Sequence, residues 1–107
     1  MNVQNEVRLI GNLGSDLVVR KNDAGVSFGV VSLAVSSYYM NSKNERVERT
    51  EWVKLIVNKF FIERMLDKLK KGAHVLVLGE LRSNVYVDDN GKKFQNLEVV
   101  CNYMFVL

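Results

Sequence analysis

The chain has 107 residues, 48% of them hydrophobic and 25% charged, with a formal charge of +3. A typical domain has roughly 100–150 residues, so one domain over 1–107 is expected; this sets aside multi-domain enzymes and a disordered chain. No apolar run approaches the roughly 20 residues of a membrane helix, and MNVQNEVRLIGN has neither a basic nor an apolar leader region, so a cytoplasmic protein without a membrane partner is expected. One cysteine, Cys101, cannot close an internal disulfide, and one histidine, His74, cannot assemble a multi-histidine metal site. The positive charge is concentrated between Lys43 and Lys71, where nine basic residues face five acidic ones. A modest basic excess fits an anionic partner without naming it.

In chain order, Val7-Arg8-Leu9-Ile10 signals a strand ended at Gly11-Asn12-Leu13-Gly14, and Leu17 to Arg20 continues or re-enters the sheet. Asn22-Asp23-Ala24-Gly25 is a turn by composition. From Ser27 to Ser37 a long strand places Val31, Leu33 and Val35 on one face. Tyr38 to Glu48 reads as an extended loop or long hairpin. Thr50 to Val57 then alternates, with Val53, Leu55 and Val57 facing the core and Trp52, Lys54 and Ile56 opposite. Ile62, Met65, Leu66 and Leu69 recur at helical spacing, which predicts one amphipathic helix with Lys68, Lys70 and Lys71 in its last turn and Gly72 as terminator. Ala73 to Val87 returns to strand, apolar on both faces from Val75 to Leu78, as a subunit contact would require. Asp88-Asp89-Asn90-Gly91 predicts a hairpin with a type I′ turn, and the last strand runs from about Phe94 to Val106. Proline is absent and no linker or repeat interrupts the order. Five strands with a lone helix between the third and fourth is the element order of the OB-fold, a five-stranded, partly open Greek-key barrel.

Catalytic constellations are sparse. His74 has no forced relation to a serine or to Cys101, which stands in the apolar run Val99-Val100-Cys101 and reads as a core residue. Asp88-Asp89 is explained as turn composition, and no phosphate loop is present. A non-catalytic protein without cofactor or metal is expected. Binding chemistry is better represented. Trp52 stands two residues from Lys54 on the face away from the core, offering a base a π-face and a phosphate a cation. Tyr86 repeats this pattern with Arg82 and Asn84 on its face and Lys92 and Lys93 across the hairpin. Tyr38 and Tyr39 stand where the strand leaves the barrel for the basic 43–49 segment, which includes Arg49.

These residues resemble the bacterial and phage single-stranded DNA-binding proteins. The resemblance is carried by Val7-Arg8-Leu9-Ile10-Gly11-Asn12-Leu13-Gly14, Ser32-Leu33-Ala34-Val35, Thr50-Glu51-Trp52, Leu69-Lys70-Lys71-Gly72, Gly79-Glu80-Leu81-Arg82, Asp89-Asn90-Gly91 and Leu97-Glu98-Val99-Val100. It implies that Trp52, Tyr39 and Tyr86 match stacking aromatics, and that Lys54 and Arg82 match basic positions along the DNA path. Asn58 stands where the family often has a stacking phenylalanine, with Phe60 and Phe61 following. Homotetramers are usual in the family, and a dimer is the other expectation. The family's acidic C-terminal tip, which recruits replication and recombination proteins, has no counterpart before Leu107; either the sequence is cut short of it or the tail is missing, as in some phage, mobile-element or competence-type relatives.

The resulting expectation is a protein that coats single-stranded DNA in replication, recombination or repair. The alternatives are an adaptor similar to primosomal replication protein N, acting in replication restart, and an OB domain that binds RNA or protein, since fold alone does not decide function.

Overall fold

The computed structural model describes residues 4–107; residues 1–3 of the expected domain lie outside the described residues. The elements are β1 (Val7–Leu13), β2 (Val18–Lys21), β3 (Ser27–Met40), β4 (Arg46–Asn58), α1 (Lys59–Met65), a 3₁₀ turn (Leu66–Lys68), β5 (His74–Val87) and β6 (Lys93–Val106). β1 and β2 both pair with β3, at Leu13 with Leu33 and at Val18 with Val30, so they are two halves of one strand bent at 14–17. β3 then pairs with β4, β4 with β6 in parallel, β6 with β5, and β5 with β1. The circuit closes a five-stranded barrel with the helix between its third and fourth strands, which is the OB-fold.

Side-chain alternation decides what faces in. Leu13, Val31, Leu33, Leu55, Val57, Val75, Val77, Val99 and Cys101 are buried inside the barrel, and Phe61, Ile62 and Leu69 cap it from the helical segment. Burial pushes the Cys101 thiol up to about 12, so it stays protonated and packs as a small apolar group. His74 is exposed at the start of β5.

The helix is shorter than its periodicity predicts. Asn58 caps it, its side chain accepting from the Phe61 N–H at 3.1 Å. A 3₁₀ turn follows, with the Leu69 N–H still bonding back to the Met65 and Leu66 carbonyls, and from the Leu69 carbonyl onward the backbone groups bond to the barrel. The Leu69 carbonyl accepts from the Leu17 N–H, the Lys71 N–H donates to the Asp16 carboxylate, and the Gly72 N–H donates to the Leu13 carbonyl. Binding the bend at 14–17 consumes the groups a longer helix would need, so Lys68, Lys70 and Lys71 do not share one helical turn.

Three hairpin loops share one design. In 22–26, 41–45 and 88–92 the first residue is Asn22, Asn41 or Asp88, and its side chain accepts from the N–H groups two and four residues on. The fourth residue, Gly25, Asn44 or Gly91, is left-handed at φ 79°, 62° or 78°. At 88–92 this corrects the predicted type I′ turn. Among these positions only Gly91 has positive φ, because the Asp88 carboxylate holds a three-residue loop rather than a two-residue one.

Tyr38 to Glu48 is a long hairpin: β3 and β4 remain paired out to Met40 and Arg46, well beyond the barrel. β5 and β6 form a second arm, paired out to Val87 and Lys93. The radius of gyration is 15.8 Å, against about 13 Å for a compact domain of this length. At the closure, β1 lies so near β3 that a Cβ on Gly11 would collide with the backbone carbonyl of Ala34. Backbone cannot rotate out of the way as a side chain can. Gly11→Ala is therefore expected to cost about 1–3 kcal/mol, read as a lower urea midpoint with an unchanged slope.

Candidate nucleic-acid interface

The outward faces of β2, β3, β4, β6 and β5 form one curved surface, because the residues paired across these strands share a side. Its centre is a groove of about 990 Å³ lined by Arg20, Phe28, Lys54, Ile56, Asn58, Lys59, Phe60, Arg82, Asn84, Glu98 and Val100, among others. Four cations and two aromatic rings there face one carboxylate. This combination can hold phosphates and stack flat bases.

Of the residues singled out from sequence, Lys54 and Arg82 line the groove. Both are tied to Glu98, which is 4% exposed: Arg82 Nη2 lies 3.1 Å from Oε1 and Lys54 Nζ 3.5 Å from Oε2. Trp52 stands one outward position further up β4 and is 65% exposed. Its ring lies against the bend between β1 and β2, where a Cβ on Gly14 would overlap Cζ3 and come within 3.2 Å of Cη2. One side of the indole is thereby backed by main chain.

Tyr86 lies beyond Arg82 and Asn84 on β5, stacked on Phe94 of β6 with centroids 5.2 Å apart and rings 16° from parallel. Lys92 Nζ sits 5.2 Å from the Phe94 centroid, so Tyr86, Phe94 and Lys92 form one stack. Lys93 pairs across from Val87 on the alternate side of the arm. On the other arm the Arg46 guanidinium lies 4.0 Å over the Tyr38 ring, while Tyr39, half exposed, falls on the alternate side. Arg49 is bound to Glu51 at 2.7 Å, and both alternate with Trp52 along β4. The structure thus brings Lys54 and Arg82 together and sets Trp52 and Tyr86 farther along the same face. Tyr39, Lys93 and Arg49 fall on other sides of the arms.

Several groove residues escape a sequence reading. Phe60 is 53% exposed with the Arg64 guanidinium 4.4 Å over its ring. It reads as one more apolar helix residue unless the Asn58 cap is recognised, which turns Phe61 inward and leaves Phe60 outside. Phe28 and Arg20 are aligned across β2 and β3, a pairing legible only once the bent first strand is known. Phe94 was findable, because the hairpin register places it opposite Tyr86. Among the described residues no group of His, Cys, Asp and Glu side chains is arranged to hold a metal ion, and no helix is long and apolar enough to cross a membrane.

Because Gly14 has ordinary backbone angles, adding a methyl there acts on the indole and not on the main chain. Gly14→Ala is expected to shift the emission maximum of Trp52, the sole tryptophan, while far-UV circular dichroism stays unchanged. An identical emission spectrum would show that the ring does not rest on this bend.

Comparison with known proteins follows the same lines. The profile described as the single-strand binding protein family matches residues 4–107. The chain is 35% identical over 103 residues to a single-stranded DNA-binding protein of Xanthomonas campestris pv. campestris, covering 96% of this chain and 60% of that protein. A second, from Xanthomonas axonopodis pv. citri, is also 35% identical, with 57% of its length covered. The chain therefore spans somewhat over half the length of these relatives. Among solved structures, a Plasmodium falciparum SSB in complex with ssDNA superposes with a TM-score of 0.84 at 26% identity, over 100% of this chain and 97% of that one. A deletion variant of the Thermus aquaticus single-stranded DNA binding protein gives 0.80 at 23% identity, over 96% and 50%, and supports the fold alone. With the family's profile matched from Gln4 to Leu107 on a barrel of the same architecture, the chain belongs to the single-strand binding protein family.

Proposed function

We propose that this chain is a non-catalytic protein that binds single-stranded DNA across the outer face of its barrel, acting in the cytoplasm in replication, recombination or repair. The observation that carries the reading is the continuous open face on which the exposed Trp52 indole is followed by Lys54, Arg82 and the Phe60 end of the groove. Exposed rings are stabilised there by stacking on bases, and the intervening cations match the phosphates between those bases. Membership of the family and the superposition on an SSB bound to ssDNA support the same reading. The proposed strand path runs from the Tyr86–Phe94 and Trp52 positions through Lys54 and Arg82 to Phe60, Lys59 and Arg20. Tyr38, Tyr39, Arg49, Lys92 and Lys93 belong to arms that would fold around a strand rather than to the groove itself.

A homo-oligomer is part of the proposal, a tetramer with a dimer as the smaller form. On the outer side of β1, β5 and β6, Ile10, Leu76 and Phe105 stand in one cross-strand row, with Leu78 and Tyr103 in the next. Ile10, Tyr103 and Phe105 are each at least 45% exposed. A row of large apolar side chains across three strands is costly in water and suits burial against another copy. Sedimentation equilibrium is expected to give a multiple of the 12.2 kDa chain mass, reduced to the monomer by Phe105→Arg. A monomeric wild type at micromolar concentration removes this part of the proposal.

The binding test uses Trp52 as its own probe, in a titration with oligo-dT at several salt concentrations with duplex DNA and oligo-U as controls. Strong quenching by oligo-dT and weak response to duplex are expected. Trp52→Ala, followed by a labelled oligomer instead, should weaken binding by about 1–3 kcal/mol. Lys54→Ala should flatten the plot of log affinity against log salt by about 0.7. Preference for oligo-U would turn the reading to RNA, and no binding to any strand would turn it to a protein-binding adaptor.

A further inference from the structure

In a groove whose other charged lining residues are all cations, the one carboxylate is the most deeply buried charged group: Glu98 is 4% exposed and stands at its floor. An ionised carboxylate out of water is tolerated only if opposite charge and hydrogen bonds compensate it. Arg82 provides most of this compensation, donating from Nε at 3.4 Å and Nη2 at 3.1 Å to a single oxygen, Oε1. Lys54 faces the other oxygen at 3.5 Å, and Oε2 accepts no hydrogen bond. The two cations remain largely exposed, 58% for Arg82 and 43% for Lys54. Each therefore presents donors to solvent on one side and to Glu98 on the other. Register explains the meeting: Glu98 pairs with Arg82 across β5 and β6, and Leu55 next to Lys54 pairs with Val99.

The consequence concerns strength rather than presence of binding. A phosphate placed over Lys54 and Arg82 meets two cations whose field is partly cancelled by a fixed negative charge behind them. We propose that Glu98 is a positioning residue with a restraining effect: it aims Lys54 and Arg82 along the groove while lowering the affinity and salt sensitivity of the strand they hold. A polyanion-binding surface that must also release its polyanion gains from such a charge, because a strand segment then leaves without giving up two unopposed ion pairs. This inference rests on the proposed single-strand path through the groove.

The test is Glu98→Gln, which keeps shape and removes the charge, titrated with oligo-dT beside the wild type. At about 0.1 M salt, charges within roughly 10 Å still interact, and the variant is expected to bind several-fold more tightly. Its salt dependence should be steeper by about 0.7, the equivalent of one more phosphate contact on a single strand. Equal or weaker affinity with an unchanged slope overturns the proposal and leaves Glu98 a packing residue. Should Glu98→Gln not fold, the pair Arg82→Gln and Arg82→Gln/Glu98→Gln decides the matter. The double variant is expected to recover part of the affinity that the single one loses, and a double variant no tighter than Arg82→Gln overturns the proposal. Failure of the wild type itself to bind oligo-dT in the same series refutes the functional reading instead, so the two failures are distinguishable.

Discussion

Parallel pairing between β4 and β6 extends over only three residue pairs, from Leu55 with Val99 to Val57 with Cys101, and the rest of the architecture depends on how briefly those strands meet. The contact closes the barrel, since without it the β1–β3–β4 ribbon and the β1–β5–β6 ribbon are joined only at β1. Its shortness is equally important. Above Leu55 and Val99 the two strands diverge, each continuing with its own hairpin partner, and this divergence creates the two arms. Trp52 stands at the parting, beside a small apolar mouth where Val7, Leu9, Val53, Leu81 and Leu97 show the interior. Below the parting, the paired segments spread Ile56, Val100 and their neighbours into the floor of the groove. A longer contact would zip the arms together and cover that face, and no contact would leave the core open.

The arms are held by local hydrogen bonds rather than by a core. Their side chains are almost all exposed from Ser36 to Thr50 and from Leu81 to Leu97. What keeps each ribbon in register is the loop at its tip, where Asn41 or Asp88 satisfies two backbone donors that a simple turn leaves free. Ring contacts add to this along the faces, Arg46 on Tyr38 and Tyr86 on Phe94. Elements stabilised this way open and close at low cost compared with the barrel, which suits the strand-wrapping role proposed for them.

Much of this was legible in the sequence because it rests on period-two alternation. Val31, Leu33, Leu55 and Val57 announce their inward face by spacing alone, and once the inward face is known Trp52, Lys54 and Arg82 are outward by default. What stayed hidden depends on contacts between distant residues. The helix looked longer because Leu66 and Leu69 keep helical spacing, yet the backbone at 69–72 bonds to 13–17, a pairing with no local signature. The turn at 88–91 contains the dipeptide of a type I′ hairpin, but the Asp88 carboxylate selects a different loop. Glu98 was visible only as an acid in a strand. Its burial between Lys54 and Arg82 follows from the β4–β6 and β5–β6 registers, which no single segment encodes.

Seven of the fifteen basic residues hold a carboxylate or a ring before any ligand arrives. Lys54 and Arg82 share Glu98, Lys59 faces Glu63, Arg49 faces Glu51, and Arg46, Arg64 and Lys92 lie over aromatic rings. Part of the positive charge is thus carried by cations with fixed directions. The fully exposed pairs, Arg49–Glu51 and Lys59–Glu63, contribute little to folding, so their value lies in aiming side chains rather than in stability. Such a surface attracts a polyanion weakly at long range and meets it with ordered partners at contact. A duplex offers the same phosphates but keeps its bases stacked on one another, where Trp52, Tyr86 and Phe60 have nothing to receive. On the proposed strand path, discrimination for a single strand would come from the rings, with the cations setting how firmly the strand is held.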